Sequence, residues 1–137
     1  MLTDTAGYAL RAVLYIARHD AEGLVPARVV AEALRVPANY LSKILHELAK
    51  RGVLASSRGA RGGFRLGVRP DELRILAVVE PFEEMEPERV CLLGRPECSE
   101  ADPCPAHHAW RDVLEHKREF LRTTTVAALL SGEASAR

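Results

Sequence analysis

Residues 40–67 read YLSKILHELAKRGVLASSRGARGGFRLG. Leu41, Ile44, Leu45 and Leu48 recur at helical spacing, so one face of this first part is apolar. Ser42, Lys43 and His46 face the other way, with Asn39 just ahead of them. Gly52 stands where a helix commonly ends in the left-handed conformation. The pattern then changes. Leu54–Ser56 and Phe64–Leu66 suit two short strands, and the turn between them holds Arg58, Gly59, Arg61, Gly62 and Gly63. A polar-faced helix followed at once by a glycine-arginine hairpin is the pattern of a recognition helix and its wing.

The flanks agree with that reading. Upstream, ARVVAEALR (27–35) forms a short helix with Pro26 suited to its first turn, and VPAN (36–39) breaks it. Two short helices around a tight turn make a helix-turn-helix. Before them, residues 5–19 form a helix capped by Thr3 or Asp4, with Ala6, Ala9, Leu10, Val13, Leu14, Ile16 and Ala17 on a broad apolar face. Downstream, residues 71–82 read as a helix ended near Pro81, and the acidic stretch 80–88 leads into a cysteine loop. A long helix follows from about Pro105 to Leu121, with Trp110, Val113, Leu114, Phe120 and Leu121 as its apolar positions. A short helical segment and a loose tail end the chain.

The expected fold is therefore mainly α with a small β-hairpin, a winged helix-turn-helix plus one long dimerisation helix. Residues 1–82 make the winged unit, 83–104 the cysteine loop, 105–130 the long and short C-terminal helices, and 131–137 the tail.

The net charge is zero, but it is unevenly spread. Residues 1–70 carry 11 Lys/Arg against 5 Asp/Glu, and residues 71–137 carry 8 against 14, so the halves are +6 and −6. Between Lys43 and Arg69 there are seven basic residues and one acid, Glu47. A basic helix and hairpin point to a polyanion. On a winged helix, Asn39, Ser42, Lys43 and His46 face the major groove, where Asn pairs with adenine and Ser with most bases. Tyr40, Lys50 and Arg51 are better placed for phosphates, and Arg58, Arg61 and Arg65 belong to the wing. The competing readings are a solvated basic face and a winged helix that binds protein.

No secretory signal opens the chain, and no apolar run approaches the roughly 20 residues of a membrane helix. A cytoplasmic protein without membrane contact is expected. There, an odd number of cysteines reads as ligands or thiol switches before structural disulfides. All three lie in CLLGRPECSEADPCPAHHAW (91–110). Cys91, Cys98 and Cys104 are separated by six and five residues, and His107 follows after two more. Structural zinc sites use closer cysteine knuckles. Wide, uneven spacing suits an iron–sulfur cluster: three thiolates and the His107 imidazole can complete the set for 2Fe-2S, and three thiolates with an outside ligand could hold 4Fe-4S. Zinc, a thiol switch and a His107 that merely decorates the helix stay open. Trp110 reads as a core or dimer anchor. A small iron–sulfur electron carrier is the rival of another class, and no motif pairs a nucleophile with a base for catalysis.

These residues resemble the iron–sulfur-cluster winged-helix transcription regulators typified by IscR and NsrR. The likeness runs from Leu2-Thr3 to TTTVAALL (123–130) and rests on YALRAVLYIA (8–17), the 40–67 block, the cysteine trio and CPAHHAWRD (104–112). It implies a homodimeric repressor that reads a partly palindromic double-stranded operator and senses redox state, nitric oxide or iron–sulfur supply. The long helix would pair across the two-fold axis. By position Cys91, Cys98, Cys104 and His107 match the IscR-like ligands, and Asn39, Ser42 and Arg58 fall where such regulators read DNA. There are departures. The first cysteine gap is one residue longer than the IscR-like pattern, and Gly7 occupies the position where some NsrR-like members carry an acidic fourth ligand.

Overall fold

The computed structural model describes residues 2–83, 91–97 and 99–135. Helix α1 (Asp4–His19) is capped by Thr3, whose Oγ1 accepts the Ala6 N–H at 3.2 Å. A cap of this kind is worth about 1 kcal/mol. Its buried face is Ala6, Ala9, Ala12, Val13, Leu14 and Ile16, so the expected apolar stripe is present, with Ala12 added and Leu10 and Ala17 at its margin.

Helix α2 (Ala27–Leu34) and helix α3 (Ala38–Lys50) form the helix-turn-helix. The turn has a specific cause. Arg35 adopts φ 57, ψ 47; its N–H donates to the Glu32 carbonyl and the Val36 N–H to that of Ala31. This pair of bonds satisfies the last carbonyls of α2 in a Schellman motif, with arginine where glycine is usual. Pro37 then precedes α3, which starts two residues earlier than the apolar pattern alone marks. Leu41, Ile44, Leu45 and Leu48 of α3 are buried as the spacing predicts. Its end is a second Schellman motif: Gly52 (φ 81) donates to Ala49 O and Val53 to Leu48 O.

Strands β1 (Leu54–Ser57) and β2 (Gly63–Leu66) pair antiparallel, Leu54 opposite Leu66 and Ser57 opposite Gly63. The wing is also stitched to the body. Val25 and Phe64 exchange both backbone bonds at 2.9 and 2.8 Å, and the Asp20 carboxylate accepts the Leu66 N–H at 3.1 Å. Two glycines make this possible. A Cβ on Gly62 would sit 2.4 Å from Ser57 O, and one on Gly63 would sit 2.6 Å from the Val25 backbone.

The expected helix at 71–82 is much shorter. Helix α4 covers Ile75–Val79, and a 3₁₀ turn, Glu80–Phe82, takes in Pro81. Before it, the backbone is engaged differently: Ile75 N–H donates to Thr124 O, and Val126 N–H to Leu73 O. That bridge seats the C-terminal part of the chain on the first part. Helix α5 (His107–Thr123) starts two residues later than the expected Pro105, and helix α6 (Val126–Ser135) runs past the point where a tail is expected. Val126 is fully buried with the residues of α1–α3, so one core serves the winged unit and α6 together. A second cluster joins Ala6, Ile75, Val79 and Leu121.

Candidate functional site

The basic surface is built on α3 and the wing. Asn39, Lys43, His46 and Lys50 lie exposed on α3, and Ser42 is half-buried. Arg58, Arg61 and Arg65 are exposed on the wing. Two expected phosphate contacts have other engagements. The Arg51 Nε donates to Glu47 at 3.0 Å, and Tyr40 shares a 2.6 Å hydrogen bond with the Thr5 hydroxyl. The Tyr40 ring also meets Tyr8 edge-on at 5.9 Å, and the Arg11 guanidinium lies 4.5 Å from the centre of the Tyr8 ring. His46 is not simply outward. Its ring stands edge-on to Phe64 of β2 at 5.4 Å, joining α3 to the wing.

The cysteine site sits where the loop meets α5. Cys91 and Cys104 are both buried, and their sulfurs are 3.6 Å apart. The backbone N–H of Arg95 holds the Cys91 thiol below its ordinary value; burial opposes this, and the Leu93 backbone, the Cys104 side chain and the Arg95 charge assist it. The loop is pinned by Arg95 Nη1 donating to Asp102 O at 3.1 Å, and by Arg111 of α5 pairing with Glu100 at 2.6 Å. None of these partners is marked by sequence spacing; opposite charges in a loop are too common to single out a pair.

His107 is the first residue of α5 and is 4% exposed, with its N–H donating to Cys104 O at 3.0 Å. Its ring meets His108 edge-on at 5.0 Å. Trp110 Nε1, one turn on, is enclosed with no hydrogen-bond acceptor among the described residues. Cys98 lies outside the described residues. Among those described, no three His, Cys, Asp or Glu side chains are arranged to hold a metal ion.

On α5, Trp110 and Leu114 are half-buried, while Val113 and Phe120 are 55% and 54% exposed. Leu121 differs from them: it is 8% exposed and packs in its own chain with Ala6, Ile75 and Val79. The helix turns far enough between Phe120 and Leu121 to point them apart. No helix is long and apolar enough to cross a membrane among the described residues.

Comparison with known proteins adds to this. A protein of Aquifex aeolicus provisionally named an HTH-type transcriptional regulator is 38% identical over 135 residues, covering 97% of this chain and 93% of its own. The HTH-type transcriptional regulator IscR of Serratia proteamaculans is 34% identical over 132 residues, covering 96% of this chain and 80% of its own. The solved structure of T. potens IscR superposes with a TM-score of 0.78 at 23% identity, over 100% of this chain and 90% of that one. The fold of this likeness is the mainly helical winged helix with one small hairpin. CymR, the global cysteine regulator of B. subtilis, superposes with a TM-score of 0.74 at 25% identity over 96% of both chains. The model of the Rrf2 family, described as iron-dependent transcriptional regulator, matches residues 2–132. The chain belongs to the Rrf2 family of transcriptional regulators.

Proposed function

We propose that this regulator is a cytoplasmic homodimeric repressor that senses redox state, nitric oxide or iron–sulfur supply through a cluster in residues 91–107. The observation that carries this reading is the Cys91–Cys104 pair, buried with sulfurs 3.6 Å apart beside the start of α5. Thiolates that share one tetrahedral metal at about 2.3 Å stand roughly 3.8 Å apart, so the pair fits two ligands on one metal. Cys98 and His107 would complete the set, with 2Fe-2S favoured over 4Fe-4S. When bound, the cluster would supply an iron centre reactive toward nitric oxide and oxygen.

The chain's own contacts tie residues 82–83, which precede that region in sequence, to the winged unit. Glu83, at the entry to the cysteine segment, accepts the Thr3 N–H at 2.6 Å, and the Thr3 hydroxyl donates to Phe82 O. Two residues on, Thr5 is bonded to Tyr40 of α3. Displacing the 82–83 segment therefore loads the start of α1, and α1 holds the start of α3. A signal shifts DNA affinity only to the extent that the loop's occupant favours one of these arrangements. Asn39, Ser42, Lys43 and His46 would enter the major groove, with Arg58, Arg61 and Arg65 on the adjoining minor groove or phosphates. Lys50 would hold a phosphate, and Val113, Phe120, Trp110 and Leu114 would pair across the two-fold axis of a dimer on a partly palindromic operator.

A second reading keeps DNA binding and replaces the cluster with zinc or a thiol switch. The same sulfur pair supports it, because two buried sulfurs this close also suit a zinc ion or a disulfide. Anaerobic purification followed by an absorbance spectrum and iron and sulfide counts separates the two. Brown protein with stoichiometric iron and sulfide supports the cluster. Colourless protein with stoichiometric zinc overturns it.

A further inference from the structure

The sulfurs of Cys91 and Cys104 face each other across the ends of a short loop that is also held by contacts other than their own. Arg95 holds Asp102 within the loop, and Glu100 holds the loop to Arg111 of α5. Gly94 takes φ 80 at the turn after Cys91 and donates to Cys91 O at 3.0 Å. Backbone bonds and ion pairs thus hold the loop in the shape in which the sulfurs meet. The two cysteines lie 13 positions apart in sequence, so this proximity is a product of the fold.

We propose that Cys91 and Cys104 are a disulfide-forming pair, and that a peroxide closes the bond in protein that carries no cluster. The sulfurs must approach by about 1.5 Å to reach an S–S length of about 2.05 Å. That is within side-chain rotation, and Leu92, Leu93 and Gly94 beside Cys91 are exposed rather than packed. The chemistry balances. One thiolate attacks a peroxide oxygen, the O–O bond breaks, and hydroxide leaves to form a sulfenic acid. The second thiol attacks that sulfur, the S–O bond breaks, and water leaves with the second thiol's proton. Two thiols lose two electrons and two protons, and hydrogen peroxide becomes two waters. The bond would remove two of the three cysteines from metal binding, so the oxidised chain could not be loaded until a dithiol reduced it. The bond itself stands independently of the cluster; only this gating rests on the cluster reading.

The test uses the full chain, stripped of metal with chelator under reducing, anaerobic conditions. It is then treated with hydrogen peroxide and cleaved after glutamate. Cleavage after Glu88, Glu97 and Glu100 puts each cysteine on its own peptide. The expected product is a crosslink between the peptides of Cys91 and Cys104, with the free thiol count falling from three to one. Cys98→Ser keeps the crosslink, and Cys104→Ser abolishes it. Crosslinks that involve Cys98, chain-to-chain crosslinks, or oxidation that stops at sulfinic acid overturn the proposal. Incubating reduced and oxidised samples with ferrous iron and sulfide then reads the gate: the reduced chain gains the cluster spectrum, and the oxidised chain gains it only after dithiol treatment. If the reduced chain also gains none, the cluster reading fails while the disulfide stands.

Discussion

Thr5 and Tyr40 share a hydrogen bond of 2.6 Å between the first turn of α1 and the first turn of α3. It is a point where the helix that carries the N-terminal cap of the fold holds α3, the second helix of the helix-turn-helix. Tyr40→Phe and Thr5→Val should each lower stability by about 0.5–1 kcal/mol, because the bond is exposed. The double variant should lose little more than either alone, which a double-mutant cycle by denaturant unfolding measures. Operator affinity should fall in both single variants although Thr5 lies on α1.

The wing and α3 should contribute separately countable phosphate contacts. Arg61→Ala should weaken binding to every DNA sequence and reduce the slope of log affinity against log salt by about 1. Asn39→Ala should instead flatten discrimination at one base position by about 1–3 kcal/mol and leave that slope unchanged. Fluorescence anisotropy at several salt concentrations, with matched and mutated operators, distinguishes these outcomes.

Gly62 has no room for a side chain, since a Cβ would stand 2.4 Å from Ser57 O. Gly62→Ala should lower stability by about 1–3 kcal/mol and misplace Arg58 and Arg61 together. The variant should remain helical by circular dichroism while its DNA affinity falls more than that of Arg61→Ala.

Arg35 makes the opposite prediction. It holds the left-handed position in the turn before α3, where glycine carries no steric penalty. Arg35→Gly should be neutral or stabilising by up to about 1 kcal/mol, raising Tm by about 3 °C. A large loss would mean that the arginine side chain supports the turn.

Val113 and Phe120 are more than half exposed on α5. Val113→Lys with Phe120→Lys should change the stability of an isolated chain by under about 1 kcal/mol. If α5 pairs as proposed, sedimentation velocity should show the parent protein as a dimer and this variant as a monomer. Leu121→Lys should behave otherwise, unfolding the chain, because Leu121 packs against Ala6, Ile75 and Val79.

The winged unit is legible in the sequence because its signals are local. The period of Leu41, Ile44, Leu45 and Leu48 marks a helix face, Gly52 marks its end, and the glycines of the wing mark a tight hairpin. The 71–82 segment misleads for the converse reason: its apolar residues satisfy a helical pattern, but Leu73 and Ile75 give their backbone groups to Val126 and Thr124, some fifty residues away. Leu121 looks like an interface residue because periodicity identifies an apolar face and not its partner. In the cysteine segment, composition points to the sulfurs, whereas the Arg95–Asp102 and Arg111–Glu100 attachments that hold the loop between Cys91 and Cys104 carry no mark in one sequence. Cys98 lies outside the described residues, so its place beside that pair is still an expectation.

The seat of Val126 in the first core has a consequence for how the protein is made. The winged unit cannot close its interior until residue 126 has been synthesised, because Val126 fills a place among the residues of α1–α3. Contacts this distant in sequence form late and slowly. A message truncated before residue 124 would therefore yield an incompletely packed chain for proteases to clear, rather than a free-standing winged unit.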